Sequence, residues 1–284
     1  MQQETMLVDF AIIGAQKCGT TSLAAQLAGH PEICFCEEKE PGYFHQNEDW
    51  RSGLEAYHRL YNPMEGQICG EASTMYTFLP EWQGTHARLF AYNPDLKLIY
   101  IMRQPVERVI SNYSHNLVRG LVKAPPEAVV FNDPVYINRS RYAVQLRPYL
   151  ELFPRENLLL LLFEDYIADQ PSTLRKIAAF LGISPDAYAQ MDAADKHKTV
   201  GQTYLKNSAI RAMVSSRAFQ AVRPRLSSSI RQPIRRRLSN KLDEKPFFAP
   251  ALRQEIWRFV EDDVRGVEEL LGRPLDLWRS RGTA

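Results

Sequence analysis

The chain has 284 residues, 45% of them hydrophobic and 24% charged, which fits a folded enzyme-sized domain and excludes disordered and collagen-like classes. Lys and Arg number 35 against 33 Asp and Glu, a net charge of +2, too little to mark a nucleic-acid binder by itself. No apolar run reaches the roughly 18 residues that span a bilayer, and the N-terminus lacks the basic segment of a secretory leader. Cys18, Cys34, Cys36 and Cys69 follow neither a disulfide framework nor a zinc spacing, so reduced thiols in a cytoplasmic protein are expected.

In chain order, Leu7 to Ile13 predicts a strand, and the next apolar segment predicts a helix from Thr20 to Ala28 that Gly29-His30-Pro31 stops. Ile33 to Phe35 predicts a short strand, followed by a charged turn through Glu37, Glu38, Lys39 and Glu40. Asp49 to Tyr61 reads as a helix and Ile68 to Glu71 as a strand. Leu96 to Met102 has the apolar density of a buried parallel strand, and Pro105 sets a helix start that runs to Arg119. Gly120 to Asn138 lacks periodicity and reads as a loop or lid. Ser140 to Phe153 predicts a helix, Asn157 to Phe163 a core strand, and Ser172 to Leu181 a helix capped by Gly182. Beyond Ser184 the pattern turns polar, basic and serine-rich, until an amphipathic helix from Ala251 to Leu271 stops at Gly272-Arg273-Pro274. Strands alternating with helices predict an α/β fold. A single domain over 1–284 is expected, with a central parallel β-sheet flanked by helices on both faces. Its parts are a core at 7–183, a basic loop and helical region at 184–250, and a C-terminal helix at 251–284.

The junction after the first strand, Gly14-Ala-Gln-Lys17-Cys18-Gly19-Thr20-Thr21-Ser22, has the makings of a phosphate cradle. Two glycines let the backbone curl so that N–H groups converge, and the helix N-terminus adds its positive dipole end. The Walker A pattern has a lysine after the second glycine, where this chain has Thr20; its lysine stands earlier, at Lys17. The strand ends supply only Glu164-Asp165 as a candidate for holding magnesium, so triphosphate hydrolysis is disfavoured. A second strand-loop-helix junction begins at Arg103, with Ser111 about two turns along the following helix. An arginine there gives a forked, charge-assisted contact and the serine a hydroxyl to the same phosphate.

These two segments, Gly14-Ala-Gln-Lys17-Cys-Gly19-Thr20-Thr21 and Arg103-Gln-Pro-Val-Glu-Arg108-Val-Ile-Ser111, resemble the 5′-phosphosulfate and 3′-phosphate motifs of PAPS-dependent sulfotransferases. Within that family the chain is most similar to the heparan sulfate glucosaminyl type. The resemblance there rests on Lys39-Glu40-Pro41-Gly42-Tyr43-Phe44, Gly70-Glu71-Ala72-Ser73-Thr74, the helix around Tyr142 and the segment ending at Trp278. It implies a P-loop-like α/β fold, PAPS as donor without a metal, Glu40 as general base, and Lys17 as the charge on the bridging oxygen. It further implies donor contacts from Lys17, Cys18, Gly19, Thr20, Thr21, Ser22, Arg103, Ser111 and Tyr142. Three positions depart from the family. Ala72 stands where a lysine is usual, Gly42 where a histidine is frequent, and Asn240 to Pro246 takes the place of the loop that closes over the donor, with Lys241 and Lys245 as its cations.

The expected reaction is in-line transfer of SO₃ to the hydroxyl (or amine) of a sugar-containing or small-molecule acceptor. Glu40 acts as base, a task worth typically 10²–10⁴-fold, and backbone N–H groups from Cys18 to Ser22 assist Lys17. His45 is the runner-up base; Trp50 and Trp82 are expected to pack rather than stack on a sugar. Cys18, at a helix N-terminus, is either a backbone donor alone or a thiol of lowered pKa. Ten Lys and Arg with no acid between Lys206 and Leu242 form either a solvated face or a grip on an anionic acceptor. The alternatives are a small-metabolite P-loop kinase and a non-catalytic module that binds anionic polymers. The sequence leaves the oligomeric state open and points to no specific nucleic acid.

Overall fold

A computed structural model of the chain describes residues 7–188, 203–205, 239–241 and 246–283. Five strands, β1 (Phe10–Gly14), β2 (Ile33–Phe35), β3 (Ile68–Ala72), β4 (Lys97–Met102) and β5 (Leu158–Leu162), form one sheet in the order β2-β3-β1-β4-β5. Every pairing is parallel. All residues of β1 and β5 are buried, whichever side they point to, as a sheet covered on both faces requires. That is why these strands read as unbroken apolar runs rather than as alternations.

The helices are α1 (Thr20–Ala28), α2 (Leu54–His58), α3 (Thr85–Tyr92), α4 (Pro105–Val118), α5 (Val135–Asn138) and α6 (Tyr142–Leu152). They continue with α7 (Phe163–Ala168), α8 (Gln170–Leu181), α9 (Pro250–Leu271) and α10 (Asp276–Thr283). The expected α/β architecture stands, and α1 has the expected bounds. Several elements differ. The helix expected over Asp49 to Tyr61 shortens to α2, because Trp50, Tyr57 and Tyr61 are buried and rings stack around Phe44 and Tyr92, a tertiary demand that outweighs helical period. The segment read as a loop or lid holds α5 and buries Val130, Tyr136 and Ile137. Phe163 to Ala168, α3 and α10 are helices that periodicity did not mark. Beyond Ser184, a small antiparallel ladder pairs β6 (Thr203–Leu205) with β7 (Ser239–Lys241).

Two features place the site. The chain runs from β1 outward to β2, returns through β3 and crosses to β4 on the other side of β1, so the strand order reverses between β1 and β4. A crevice opens at the carboxyl ends of strands at such a switch point, and the loop after β1 and the residues after β4 flank it. The C-terminal helices then brace this end. α9 buries Leu252, Ile256, Trp257, Val260, Val264 and Val267, worth on the order of 10 kcal/mol by apolar burial. Its Asp263 accepts the Ala143 and Val144 N–H groups at 3.0 and 2.9 Å, capping α6. Trp278 of α10 is buried, donates Nε1–H to Glu164 at 3.1 Å and accepts from the Gln104 side chain at 3.1 Å.

Candidate functional site

The loop between β1 and α1 is shaped by two glycines that no other residue replaces without strain. A Cβ on Gly14 would lie 2.4 Å from the Tyr100 ring, and Gly19 has φ +91° with the Phe163 ring 2.8 Å from where its Cβ would be. Lys17 itself has φ +72°, a left-handed conformation that costs a non-glycine residue energy and is held by its surroundings. Not every N–H from Cys18 to Ser22 faces outward as expected. Cys18 N–H donates to Ala15 O at 3.1 Å and Ser22 N–H to Gly19 O at 3.0 Å, which leaves Gly19, Thr20 and Thr21 at the helix start. The Ser22 hydroxyl lies 3.1 Å from the Tyr166 hydroxyl. Cys18 is fully buried and burial pushes its thiol up to about 11, which argues against the lowered-pKa thiol, while its N–H is already bonded to Ala15 O and so is not a free backbone donor either.

Across the crevice, Arg103 follows β4 with its guanidinium 5.1 Å from the Phe163 ring centroid and 3.5 Å from Glu107. Glu107 also pairs with Arg253 of α9 at 3.0 Å. Ser111, His115 and Arg119 lie four residues apart along α4, on one stripe of its surface. Burial, and then the charges of Lys17, Arg119 and Lys39, hold His115 down to about 4. Tyr142, expected at the donor, is fully buried. Its hydroxyl donates to Arg103 O at 2.7 Å and sits 3.6 Å from Cys18 Sγ, so it ties the two junctions together from behind rather than facing an open surface.

Arg108 was passed over as a functional residue, although it stands inside the Arg103 to Ser111 motif. It is completely buried and donates to Gln16 O at 3.1 Å, Gln16 Oε1 at 3.2 Å, Tyr136 O at 3.0 Å and Ser140 Oγ at 3.3 Å. Arg139 reaches the same Gln16 Oε1 at 3.0 Å. The loop after β1 is therefore bonded to the helix after β4. Burial, then repulsion from Arg108 and Arg103, brings the Lys17 ammonium from 10.5 down to about 8. Crowded, desolvated cations of this kind are relieved by an anion, so the residues present fit a phosphate-bearing donor.

Glu40 also has positive φ, +53°, and accepts from Thr74 Oγ1 at 3.1 Å through Oε2. Its turn hangs on a buried carboxylate that sequence reading missed. Glu71, at the end of β3, accepts from Tyr57 and Tyr76 hydroxyls at 2.8 Å each and from Ser73 Oγ at 2.7 Å, while Ser73 Oγ accepts Gly42 N–H at 2.9 Å. Burial raises the Glu71 pKa, and the three hydroxyl donors oppose the rise. In sequence Glu71 stood only inside the Gly70-Glu71-Ala72-Ser73-Thr74 segment, with nothing to mark it as buried or as the support of the Glu40 turn. At Gly42, φ is +58° and the Met75 sulfur lies 2.2 Å from where a Cβ would be, so a histidine is not accommodated there. His45 bonds Gly42 O through Nδ1 and packs on Trp82, and Trp50 is core, as expected for the tryptophans. Glu164, the candidate metal-holding acid, is instead taken up by Gln104 N–H and Trp278.

A cavity of about 240 Å³ joins Glu40 to Thr20 and Thr21 at the start of α1. The strand that holds Lys241 pairs at Thr203. Lys245 and most of the basic tract lie outside the described residues. No helix among the described residues is long and apolar enough to cross a membrane.

Residues 7–268 match the family described as sulfotransferase domain. Heparan sulfate glucosamine 3-O-sulfotransferase 3A1 of Mus musculus is 31% identical over 207 residues, covering 68% of this chain and 48% of that protein. Carbohydrate sulfotransferase 15 of Homo sapiens is 25% identical over 248 residues, covering 63% and 44%. The chain thus spans about half the length of the curated relatives it matches. Among solved structures, a sulfotransferase from Alicyclobacillus acidocaldarius superposes with a TM-score of 0.68 at 26% identity, over 97% of this chain and 100% of that one.

Proposed function

Because the chain belongs to the sulfotransferase family, we propose that it moves a sulfuryl group from PAPS to a hydroxyl of a carbohydrate, glycolipid or small-molecule acceptor. Adenosine 3′,5′-bisphosphate is the other product. The observation that carries the reading is the meeting of two junctions at one crevice, where Arg108 of α4 bonds Gln16 of the loop that bears Lys17. A donor with charge at both ends of an adenosine needs both junctions; a triphosphate needs only the first. The similarity to a heparan sulfate glucosamine 3-O-sulfotransferase and to a carbohydrate sulfotransferase supports a sugar hydroxyl as acceptor.

Bound PAPS supplies the sulfuryl group, the S–O bond to its phosphate breaking with the electron pair left on the bisphosphate as an S–O bond forms to the acceptor. The chain's own residues do the rest. Lys17 and the N–H groups of Gly19, Thr20 and Thr21 meet the charge that builds on the leaving oxygen. Arg103 and Ser111 hold the 3′-phosphate and fix the donor's reach. Glu40 takes the acceptor proton on Oε1, with Thr74 orienting the carboxylate through Oε2.

With labelled PAPS and a hydroxyl acceptor panel, Glu40→Gln is expected to lower transfer about 10²–10⁴-fold while adenosine 3′,5′-bisphosphate still binds. Unchanged transfer removes Glu40 from the reaction. In a thermal-shift titration the bisphosphate at 100 times its Kd adds about 2.7 kcal/mol; stabilisation by Mg·ATP instead would favour a kinase and end the proposal.

A further inference from the structure

The cavity beside Glu40 bears on which acceptor enters, an inference that rests on the reading above. Since Glu40 and Thr20 line one cavity, an acceptor whose hydroxyl meets the base with its oxygen toward the phosphate loop must occupy this space. At about 240 Å³ it is smaller than the about 300–1,000 Å³ that takes a drug-sized ligand, so its reacting end is about one ring.

Its walls are of two kinds. Ala24, Ala25 and Ala28 of α1 offer methyl groups and no hydrogen bond, a surface suited to the carbon-bound hydrogens of a ring and not to a charged group. Glu37 and Glu38 also line it. Both are exposed, and neither forms an ion pair with a described residue. Counting Glu40, three carboxylates face one cation, Lys39, among the lining residues. The cations of the neighbouring crevice do not offset this, because a bound donor already claims them.

We propose that the acceptor hydroxyl is carried by a ring without negative charge, laid on the alanine face of α1, and that Glu37 and Glu38 select against anionic sugars.

Matched acceptors of one size test this: p-nitrophenyl β-D-glucoside against p-nitrophenyl β-D-glucuronide, with labelled PAPS and the full chain. Wild type is expected to favour the glucoside in kcat/KM by about tenfold, the scale of two like charges several ångströms away in a partly solvated groove. The double charge reversal Glu37→Lys with Glu38→Lys is expected to close or invert that ratio through KM, with bisphosphate affinity unchanged. Both residues are exposed, so the variant is expected to fold, and the milder Glu37→Gln with Glu38→Gln pair gives an intermediate ratio. A wild-type preference for the glucuronide, or a ratio that the reversal leaves in place, overturns the proposal. So does transfer to neither sugar. In that last case, bisphosphate binding together with release of label from PAPS to water shows that the functional reading survives, and loss of both shows that it fails.

Discussion

Lys17 offers the most quantitative test, because its environment sets a cost in the free protein and a gain in the complex. Its ammonium is brought from 10.5 to about 8 by burial and by repulsion from Arg108, Arg103 and Arg119, with Cys18 opposing. Since the folded pKa is below the ordinary value, the free protein carries an unfavourable charge below pH 8. At about 1.4 kcal/mol per pH unit the penalty is about 3 kcal/mol. It fades as pH rises from 8 to 10.5, where the folded chain has lost the proton and the unfolded chain still holds it. Lys17→Met, which keeps the stem and removes the charge, is therefore expected to stabilise the free protein at pH 7 by up to about 3 kcal/mol, seen as a raised urea midpoint at unchanged slope. A bound anion restores the proton's affinity. Calorimetric titration with adenosine 3′,5′-bisphosphate should then show Kd nearly flat below pH 7.5 and rising by roughly tenfold per pH unit above 8. Lys17→Arg, whose guanidinium does not titrate in that range, should flatten the curve. A wild-type Kd that stays constant from pH 7 to 9.5, or a Lys17→Met protein less stable than wild type at pH 7, refutes the reasoning.

Two substitutions probe the frame around this lysine. Arg108→Gln abandons a buried guanidinium with four acceptors, and the stranded carbonyls are expected to cost about 3–5 kcal/mol. Arg108→Lys should recover less than half of that, since an ammonium lacks the fork; urea melts of the three proteins read the outcome, and equal stabilities contradict it. Gly19→Ala forces alanine into φ +91° with its methyl 2.8 Å from the Phe163 ring. The expected cost is about 2–4 kcal/mol, with weaker bisphosphate binding, and adding Phe163→Ala should return the steric part but not the backbone part.

What could be read from sequence follows the physics of each element. β4 and β5 are apolar on both sides because both faces of the sheet are covered, and such runs have few other readings. α1 is delimited by Gly19 before it and Gly29 after it, so its bounds were legible. Lys17, Arg103 and Glu40 could be singled out as candidates because each stands in a local pattern that a loop or a helix start makes recognisable. Arg108 and Glu71 were not found. Nothing local tells Arg108 from Arg103, five residues earlier; what separates them is that Gln16, Tyr136 and Ser140, from three other parts of the chain, close over one and not the other. Glu71 likewise owes its place to Tyr57 and Tyr76, which bring their hydroxyls to it from two other parts of the chain. Tyr142 was expected as a donor contact, and the structure shows it buried with its hydroxyl on Arg103 O, since a motif specifies a neighbourhood and packing decides which atom faces inward.

The bond from the Gln104 side chain to the Trp278 carbonyl joins residues 174 apart. At a synthesis rate of about 5–20 residues per second, roughly 9–35 s pass between their emergence. Until then Arg103 stands on a loop whose last brace has not been made. A nascent chain thus has the loop after β1 long before the residues after β4 are fixed, and ribosome-bound intermediates stalled before α10 are expected to differ from the finished chain around Arg103 above all.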